Sequence, residues 1–339
     1  MRRTLVTGGA GFIGAHCVRR AVGRGERVTV LDDLSRGGSA ARLRALRAEL
    51  GDDAFAFVNE SVTDAAAVAA CCRGCDVVFH MAGQVAVTDS IRDPRHDFAV
   101  NALGTLNVLE GLRLEAPGAV LVHASTNKVY GALGHHPVEA TPTRYVVPTR
   151  PHGIDEREPL DPQTPYACSN AAADQYVRDY ARLYGLRTIV FRQSCVYGPG
   201  QLGSEDQGWV AWLMRAALRG DEVCLFGDGR QVRDLLFVDD LLDAFDAAVA
   251  RADVVKGRAY NVGGGPALSL SIWVEFSRLL ADLVGPLPPV RLAPWRPSDQ
   301  RVYVSDVGRA AADLGWRPQT PPREGLLRLC DWLRTLPPP

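Results

Sequence analysis

A glycine-rich turn between the first strand and the first helix is the feature that most constrains the fold of this chain. Arg3–Thr7 has the apolar, β-branched character of a buried strand, and residues 7–14 (Thr-Gly-Gly-Ala-Gly-Phe-Ile-Gly) lead from it into an amphipathic helix. Gly8 allows a tight turn, Gly11 lets a pyrophosphate approach the backbone, and Gly14 lets helix and strand pack closely. The sequence therefore predicts a dinucleotide-binding strand–turn–helix unit at its N terminus.

Two acidic residues at the end of the second strand indicate which dinucleotide binds. Asp32 and Asp33 follow Gly14 at the spacing where a carboxylate accepts both adenosine ribose hydroxyls. A carboxylate there repels a 2′-phosphate and favours NAD, whereas the nearby Arg36 argues for NADP. The N terminus of the helix supplies N–H groups and a partial positive charge for the pyrophosphate. We expect NAD; a turn that binds no nucleotide is the alternative.

Strand and helix patterns alternate through the first half of the chain. This alternation predicts right-handed crossovers and an α/β fold with a doubly wound, Rossmann-type parallel sheet. The predicted strands are Arg3–Thr7, Arg27–Leu31, Phe55–Val58, Val77–His80, 119–123 and 185–191, and the predicted helices are 13–23, 40–50, 64–72, 97–113 and Pro165–Tyr184.

The second half has shorter periodic units and more Gly and Pro. It predicts a smaller, mixed α/β carboxyl-terminal lobe. We therefore divide the chain into 1–196, mainly the NAD-binding domain, and 197–339, mainly this lobe. The irregular stretch at about 131–164 is longer than ordinary connections, so it is either disordered or a functional lid.

Composition excludes several classes of function. The 38 Lys and Arg residues nearly balance the 39 Asp and Glu residues, so no basic field attracts nucleic acid. No apolar run reaches the roughly 20 residues that span a bilayer. The 8 cysteines fit reduced thiols, and Cys72-x-x-Cys75 is half a zinc site without a second ligand pair. We expect a cytoplasmic protein with no nucleic-acid, membrane or metal partner.

Two further motifs extend the comparison beyond the glycine loop. Residues 125–131 (Ser-Thr-Asn-Lys-Val-Tyr-Gly) follow the fifth strand, and Tyr166-Ala-Cys-Ser-Asn170 begins the next helix. Together with the glycine loop, they resemble the extended short-chain dehydrogenase/reductase family, the NAD-dependent epimerases and dehydratases of nucleotide sugars, over essentially the whole chain. Members carry a Tyr-x-x-x-Lys pair. Here the lysine position holds Asn170.

This departure changes the expected chemistry. A phenol with a pKa of about 10 is a poor base at neutral pH. An ammonium about 4 Å away favours phenolate by roughly 4 kcal/mol at an effective dielectric of 20, whereas an amide adds no net charge. Three explanations are open: Asn170 is an engineered substitution, it is a natural variant compensated by another cation such as Lys128, or the redox chemistry is lost.

The residues after Thr126 bear on the type of reaction. Dehydratases of the family have an Asp-Glu pair there, and Asn127 and Lys128 supply neither acid nor base for elimination. Segments 80–88, 125–131, 143–145, 153–156, 191–199, 206–209 and 298–302 resemble the subfamily of CDP-paratose (CDP-tyvelose) 2-epimerases. Those enzymes oxidise the C2 hydroxyl to a ketone and return the hydride to the opposite face. Another nucleotide-sugar epimerase, such as a 4-epimerase, and a redox-impaired nucleotide-sugar-binding protein are the alternatives.

The resemblance implies functions for individual residues. Tyr166 takes the proton from the C2 hydroxyl, Thr126 with Ser125 nearby hydrogen-bonds the developing oxygen, and Asn170 holds the nicotinamide ribose. Asn101 corresponds to an asparagine that distorts its helix, with a simple surface asparagine as the alternative. The predicted cofactor-binding residues are Gly8, Gly11, Phe12, Ile13, Gly14, Asp32, Asp33, Ser35, Arg36, Ser61, Val62, Ala82, Gly83, Gln84, Asn101, Tyr166, Asn170 and Tyr197.

The predicted substrate-binding residues are Gln84, Thr88, Thr126, Asn127, Cys195, Gln207, Trp209, Arg233, Arg296 and Asp299. The two arginines suit the diphosphate and Asp299 the nucleoside ribose, although each is also compatible with a surface ion pair. Tyr197 is also compatible with simple packing. The resemblance further implies a homodimer that pairs through the helices near 97–113 and Pro165–Tyr184.

Overall fold

The computed structural model describes residues 1–296 and 299–336, which form two compact units. The first unit comprises Met1–Thr126, Thr164–Arg192 and Leu242–Tyr260. The second comprises Asn127–Gln163, Gln193–Leu241 and the described residues from Asn261 onward. The sequence predicts one boundary after residue 196, whereas the chain passes between these units several times. Pro297 and Ser298, at the predicted 298–302 motif, lie outside the described residues.

The first unit is built on a parallel sheet whose described part has seven strands in the order β12-β8-β5-β4-β1-β2-β3. The strands are β1 (Arg3–Thr7), β2 (Arg27–Leu31), β3 (Phe55–Val58), β4 (Val77–His80), β5 (Val120–Thr126), β8 (Arg187–Gln193) and β12 (Ala259–Val262). Reversal of the strand order between β1 and β4 creates a switch point at the carboxyl ends of these strands. The predicted α/β class with a doubly wound sheet is confirmed.

Helices connect these strands. They are α1 (Phe12–Gly23), α2 (Ser39–Leu50), α3 (Ala65–Cys72), α4 (Val87–Arg92), α5 (Pro94–Phe98), α6 (Gly104–Glu115), α7 (Pro165–Tyr184), α9 (Val238–Ala250) and α10 (Ala252–Val255). The helix predicted at 97–113 is interrupted by a π-helical turn at Ala99–Leu103, which contains Asn101, the residue that the family resemblance marks as helix-distorting. Among the described residues, no helix combines the length and apolar character needed to span a membrane.

The second unit has short strands and amphipathic helices, as the mixed composition predicts. Its strands are β6 (Glu139–Ala140), β7 (Tyr145–Val146), β9 (Cys195–Tyr197), β10 (Val223–Phe226), β11 (Val232–Phe237), β13 (Ser269–Ser271), β14 (Val290–Ala293) and β15 (Val302–Tyr303). Its helices are α8 (Trp209–Arg219), α11 (Phe276–Val284), α12 (Gly308–Leu314) and α13 (Pro322–Arg334). Strand β11 pairs with β9, β13 and β15.

The long insertion is an ordered part of the second unit. Arg144 forms an ion pair with Glu275, and the Tyr145 hydroxyl donates to Asp228 at 2.7 Å. Farther along, the N–H of Ile154 donates to the Val304 carbonyl oxygen at 2.7 Å. These contacts fix the segment at several points along its length. The possibility that it is disordered is therefore wrong, and a lid remains a prediction.

A buried pair of histidines lies in the sheet of the first unit. The His80 ring is hydrogen-bonded on both nitrogens, to Thr7 at 2.7 Å and Thr105 at 2.9 Å. The His123 ring stacks on it at 5.3 Å, and neither nitrogen of His123 has a hydrogen-bond partner among the described residues. Burial lowers the pKa of His123 to about 4. The folded protein therefore disfavours a proton on this ring.

His123 should make stability depend on pH on the acidic side of neutrality. Its folded pKa of about 4 lies below its ordinary value of 6.5, so the unfolded chain binds the extra proton in that range and stability falls with falling pH. Protonation of this ring in the unfolded chain should lower the free energy of unfolding by about 2 kcal/mol between pH 7 and pH 5. We expect His123→Phe to flatten the pH dependence measured by urea unfolding. A wild-type slope retained in the variant would contradict this assignment.

Candidate active site

The turn between β1 and α1 has the close backbone approach that the three glycines predict. Gly8 adopts a φ of +65° and its carbonyl oxygen accepts from the Gly11 N–H at 2.9 Å. A Cβ added to Gly14 would lie 2.1 Å from the Gly8 oxygen, and one added to Gly11 would lie 2.9 Å from it. Phe12 and Ile13 then begin α1, whose N terminus has no side-chain cap. The orphan N–H groups are free to face an anion.

Asp32 follows β2 and is bonded to this turn. Its carboxylate oxygens accept from the N–H groups of Ala10 and Leu34, each at 2.9 Å. Burial raises its pKa, and the two backbone hydrogen bonds oppose the rise. Leu34 holds a left-handed φ of +56°, so the Asp32 side chain stabilises a strained backbone at the end of β2. Asp32 is thus the acidic residue held against the glycine loop.

The neighbouring residues predicted to bind the adenosine end lie on the loops after β2 and β3. Asp33 accepts from the hydroxyl of Ser35 at 2.6 Å, and Arg36 is exposed. The Ser61 hydroxyl accepts from Thr63 at 3.0 Å, and Val62 is buried. Because β2 and β3 are adjacent parallel strands, these loops share the carboxyl edge of the sheet with the glycine turn.

The loop after β4 meets the glycine turn at the switch point. A Cβ on Gly8 would lie 2.6 Å from the Ala82 nitrogen, and the Ala82 N–H donates to the Thr7 hydroxyl at 3.2 Å. Asn101 is buried in the π-helical turn and its Oδ1 accepts from the Gln84 N–H at 2.8 Å. A Cβ on Gly83 would lie 3.1 Å from the same oxygen. Asn101 therefore shapes this loop.

Two predicted sugar-pocket residues carry unpaired polar atoms. Gln84 Oε1 and Thr88 Oγ1 are buried and have no hydrogen-bond partner within the described ranges. Buried polar atoms normally find partners, and one left unpaired costs roughly 1–3 kcal/mol. The hydroxyl groups of a sugar are suitable partners for both atoms.

Thr126 and Tyr166 form the core of the predicted redox site. Thr126 ends β5, Tyr166 lies in the first turn of α7, and their side chains are hydrogen-bonded. Burial raises the pKa of Tyr166 and the negative charge of Asp97 adds to the rise. The bond from Thr126 and the positive charge of Arg36 act in the opposite direction. The net effect leaves the phenol protonated at neutral pH.

Asn170 adds no charge to this pair. It is buried one helical turn after Tyr166, and its Nδ2 donates to the Tyr166 carbonyl oxygen at 2.9 Å. The adjacent Ser169 donates to Asp97 at 2.6 Å, and Asn101 donates to both residues at 3.1 Å. This network fixes the start of α7 against the π-helical turn.

The other predicted hydroxyl, Ser125, has a different partner. It is buried and donates to Asp174 at 3.3 Å, and Asp174 forms a fully buried ion pair with Arg192 at 2.7 Å. These contacts anchor β5 to α7 and β8. The Ser125 hydroxyl is therefore engaged by Asp174, whereas the Thr126 hydroxyl bonds to the Tyr166 phenol. A catalytic contribution of Ser125 stays a prediction.

Several predicted substrate residues gather in the second unit. Arg233, on β11, donates to Asp299 Oδ1 at 2.8 Å, and the Lys128 ammonium lies 3.8 Å from the same oxygen. Arg296 contacts Asp206 at 3.0 Å and stacks on Phe226 at 4.0 Å. Both arginines thus form ion pairs, but Arg233 is buried and only the Arg296 pair lies near the surface. An anion would compete with these carboxylates for the cations.

Lys128 is a functional candidate that the sequence predictions left out of the binding residues. Burial lowers its pKa to about 8, and repulsion from Arg233 contributes. Only two lysines, Lys128 and Lys256, occur among the 38 cationic residues of the chain. A lysine two residues after Thr126, in so arginine-rich a sequence, is a signal that points to this position.

The remaining predicted residues differ in how they are held. Asn127 is buried and donates to Gln300 at 3.5 Å, and Cys195 accepts from the Trp209 indole at 3.2 Å. Gln207 is half-buried in the loop before α8. Trp209 begins α8 and packs edge-on against Phe276.

Tyr197 is the predicted cofactor residue that fits its assignment least. It is 1% exposed, packs on Phe237, and its hydroxyl donates to the Pro322 carbonyl oxygen at 3.5 Å. The side chain is enclosed by the second unit's own core. These contacts favour the packing alternative for Tyr197, and contact with the cofactor stays a prediction.

The glycine turn and the Thr126–Tyr166 pair belong to a recognised class. Residues 4–263 match the NAD dependent epimerase/dehydratase family, and the chain belongs to that family. The chain is 38% identical over 341 residues to the CDP-paratose 2-epimerase of Salmonella typhi, covering 98% of this chain and 100% of the relative. It is 36% identical over 333 residues to the UDP-glucose 4-epimerase of Mycolicibacterium smegmatis, covering 98% of each.

The fold is also that of solved nucleotide-sugar epimerases. The Thermus thermophilus UDP-glucose 4-epimerase in complex with NAD aligns with a TM-score of 0.80 and 33% identity, over 98% of this chain and 99% of that chain. The predicted family, the Rossmann-type fold and NAD as cofactor are confirmed. The residues present fit NAD. The glycines of the Gly8–Gly14 turn leave space that a Cβ would fill, and the carboxylate of Asp32 is bonded to the same turn through Ala10.

Gly14→Ala should displace the glycine turn and abolish retention of NAD. The added Cβ would lie 2.1 Å from the Gly8 oxygen, so the backbone must shift where the pyrophosphate binds. Gly23→Ala, at the other end of α1, is the matched control because nothing lies within 4 Å of its Cβ. NAD released on denaturation should fall at least about tenfold in the first variant and stay unchanged in the second. Normal retention by Gly14→Ala would contradict the assigned loop.

Proposed function

We propose that this protein is an NAD-dependent epimerase that inverts C2 of a CDP-hexose of the CDP-paratose/CDP-tyvelose type through a 2-keto intermediate. The observation that carries the proposal is the hydrogen-bonded Thr126–Tyr166 pair in a chain 38% identical, over its whole length, to a CDP-paratose 2-epimerase. The absence of an acidic pair after Thr126, where Asn127 and Lys128 stand, argues against dehydration.

The proton at the reacting centre is managed by two side chains. The hydrogen on a carbinol carbon is not acidic, so inversion requires a transient ketone. Bound NAD would supply the hydride acceptor for that carbon and the hydride donor for its opposite face. The ionised fraction of Tyr166, a phenolate, receives the proton of the C2 hydroxyl and gives it back when the ketone is reduced, and the Thr126 hydroxyl hydrogen-bonds the same sugar oxygen.

The cofactor would be held by the residues described above. The backbone N–H groups of the Gly8–Gly14 turn and of the α1 N terminus would donate to its pyrophosphate, and Asp32 would accept from the adenosine ribose hydroxyls. Asn170 donates to the nicotinamide ribose after leaving its bond with the Tyr166 carbonyl oxygen. Because Asn170 carries no charge, Tyr166 is activated less than in relatives with lysine at this position.

The nucleotide sugar would be bound through its charge and its hydroxyl groups. Arg233 and Arg296 contact the diphosphate, and we add Lys128 to this pair because its ammonium lies beside Arg233 and Asp299. Asp299 uses only Oδ1 in the two contacts above, which leaves Oδ2 for the nucleoside ribose. The proposed sugar-pocket residues are Gln84, Thr88, Asn127, Cys195, Gln207 and Trp209.

Two alternatives have specific support. The 36% identity to a UDP-glucose 4-epimerase favours epimerisation at C4 of a UDP-sugar. Asn170 at the lysine position favours a nucleotide-sugar-binding protein with impaired redox chemistry. We propose a cytoplasmic location for either kind of protein, since nucleotide sugars are intracellular metabolites.

A panel of sugar nucleotides tests these functions against one another. We expect NMR to detect interconversion of CDP-paratose and CDP-tyvelose without solvent deuterium at C2, and slower or no reaction of UDP-glucose. Asn170→Lys should raise turnover at pH 7 at least about tenfold and shift the pH–rate profile to lower pH, because a nearby ammonium favours phenolate. Asn170→Met, similar in shape to lysine but neutral, should not.

The outcomes separate the candidates. Faster reaction of UDP-glucose would favour the 4-epimerase. Binding of CDP-sugars without turnover, even in Asn170→Lys, would favour the binding protein. Tyr166→Phe serves as the inactive control in each series.

We propose a homodimer that pairs through α5, α6 and α7, because these helices and the π-helical turn expose six large apolar side chains. They are Phe98, Leu103, Leu114, Tyr176, Leu183 and Tyr184. Contiguous apolar surface on a stable protein commonly marks an interface. A second copy of the same surface would bury both patches in a two-fold contact.

Leu183→Glu should therefore shift the protein toward monomer in analytical ultracentrifugation. Leu183 is 68% exposed in the chain, so a charge there costs little in the monomer but is expensive once buried in a dimer. Val254→Glu, on α10 at 66% exposure, is the control and should leave the mass unchanged. A monomeric wild-type protein, or a dimer unaffected by Leu183→Glu, would contradict this interface.

A further inference from the structure

Three metal-binding side chains converge in the long insertion of the second unit. His135 Nε2 lies 2.6 Å from Glu158 Oε1, and His136 Nε2 lies 3.1 Å from Glu158 Oε2. One ligand atom from each of the three residues lies within 4.8 Å of the others. The proposed function uses none of these residues.

The local backbone explains this convergence. Leu133 has a left-handed φ of +57°, and its carbonyl oxygen accepts from the His136 N–H at 3.1 Å, so the chain turns back on itself before the histidines. The two imidazole rings then lie 4.2 Å apart. Glu158 closes a second turn, in which its N–H donates to the Asp155 carbonyl oxygen at 3.1 Å. Two separate turns thus aim their side chains at one point.

Burial distinguishes this group from an ordinary surface ion pair. The Glu158 side chain is 1% exposed and His136 is 9% exposed, whereas His135 is 58% exposed. A carboxylate so fully removed from water needs a strong partner, and the exposed imidazole leaves a route for a small ion from solvent. Arg150 also contacts Glu158 Oε2, at 3.2 Å.

We propose that His135, His136 and Glu158 form a binding site for a divalent transition-metal cation of the zinc class. Two imidazoles and one carboxylate, with water in the fourth position, are a set that Zn²⁺ uses in proteins. Tetrahedral Zn²⁺ bonds of about 2.0–2.2 Å place ligand atoms roughly 3.3 Å apart. The imidazole nitrogens now lie 2.6 and 3.1 Å from the Glu158 oxygens, so they need to move apart only slightly to admit the ion.

Arg150 would then act in the outer shell of the site. Hydrogen bonds from outer-shell groups orient carboxylate ligands, and its guanidinium reaches the oxygen shared with His136. Its positive charge opposes a second cation, so we infer a site weaker than a structural zinc centre. A bound ion would cross-link the turn before His136 to the turn at Glu158. The sequence prediction of no metal considered the cysteine spacing, which carries no information about this group.

Cobalt binding to the full-length, untagged, EDTA-treated protein tests the site. Co²⁺ serves as the probe because four-coordinate Co²⁺ absorbs strongly in the visible, and calorimetry counts the ions. We expect one Co²⁺ per chain, displaced by Zn²⁺. His135→Gln and His136→Gln should each lower the affinity by at least about tenfold. His152→Gln, an exposed histidine of the same insertion, is the matched control and should bind as the wild type does.

Three results would overturn the proposal. One is the lack of any Co²⁺ site by calorimetry. Another is unchanged binding in the doubly substituted His135→Gln, His136→Gln protein. The third is near-ultraviolet thiolate-to-cobalt absorption that disappears with Cys75→Ser, which would assign the ion to the cysteines instead. Circular dichroism of each variant verifies its fold, and none of these readouts depends on epimerase activity.

Discussion

The close approach of the first strand–helix turn to its own helix is the constraint on which the first unit depends. Gly14 leaves only the space of a hydrogen atom beside the Gly8 carbonyl oxygen, and Gly8 itself has no room for a side chain against Ala82. Asp32 then ties Ala10 of the same turn to the end of β2. The packing that joins β1, β2 and β4 therefore also shapes the carboxyl edge of the sheet, where a dinucleotide binds. The fold and the cofactor site are products of one set of backbone contacts.

At the redox site, the placement of Tyr166 and the lowering of its pKa depend on different residues. The network of Asp97, Asn101 and Ser169 holds α7 in place, and Tyr166 bonds to Thr126 as a proton-transfer pair requires. None of these contacts needs a cation at position 170. Burial alone, however, raises the pKa of the phenol. A neutral residue at position 170 thus leaves Tyr166 and Thr126 in place but does not stabilise the phenolate. Charge and shape at position 170 can therefore be varied independently.

Local patterns predicted most of the first unit because its strands are short apolar runs and its turns depend on glycine. β1 to β4 have the predicted bounds. The periodic pattern predicts one helix at 97–113, and only the resemblance to the family marks Asn101 as a residue that distorts it. In the structure Asn101 lies in the π-helical turn and bonds to Gln84 and Ser169. Such partners lie far away in sequence and leave no periodic signal. The same holds for Tyr197, which a Tyr-Gly-Pro motif assigns to the cofactor although its surroundings are the second unit's own core.

Lys128 shows how charge can be interpreted once its neighbours are known. Guanidinium groups keep their proton at any physiological pH, so Arg233 and Arg296 are permanent cations. A half-buried ammonium beside Arg233 loses its proton more easily, and the pKa of Lys128 falls to about 8. A bound diphosphate would reverse this effect, because two negative charges favour the protonated amine. The lysine is therefore the member of the group whose charge responds to the substrate, a property that arginine at the same position would lack.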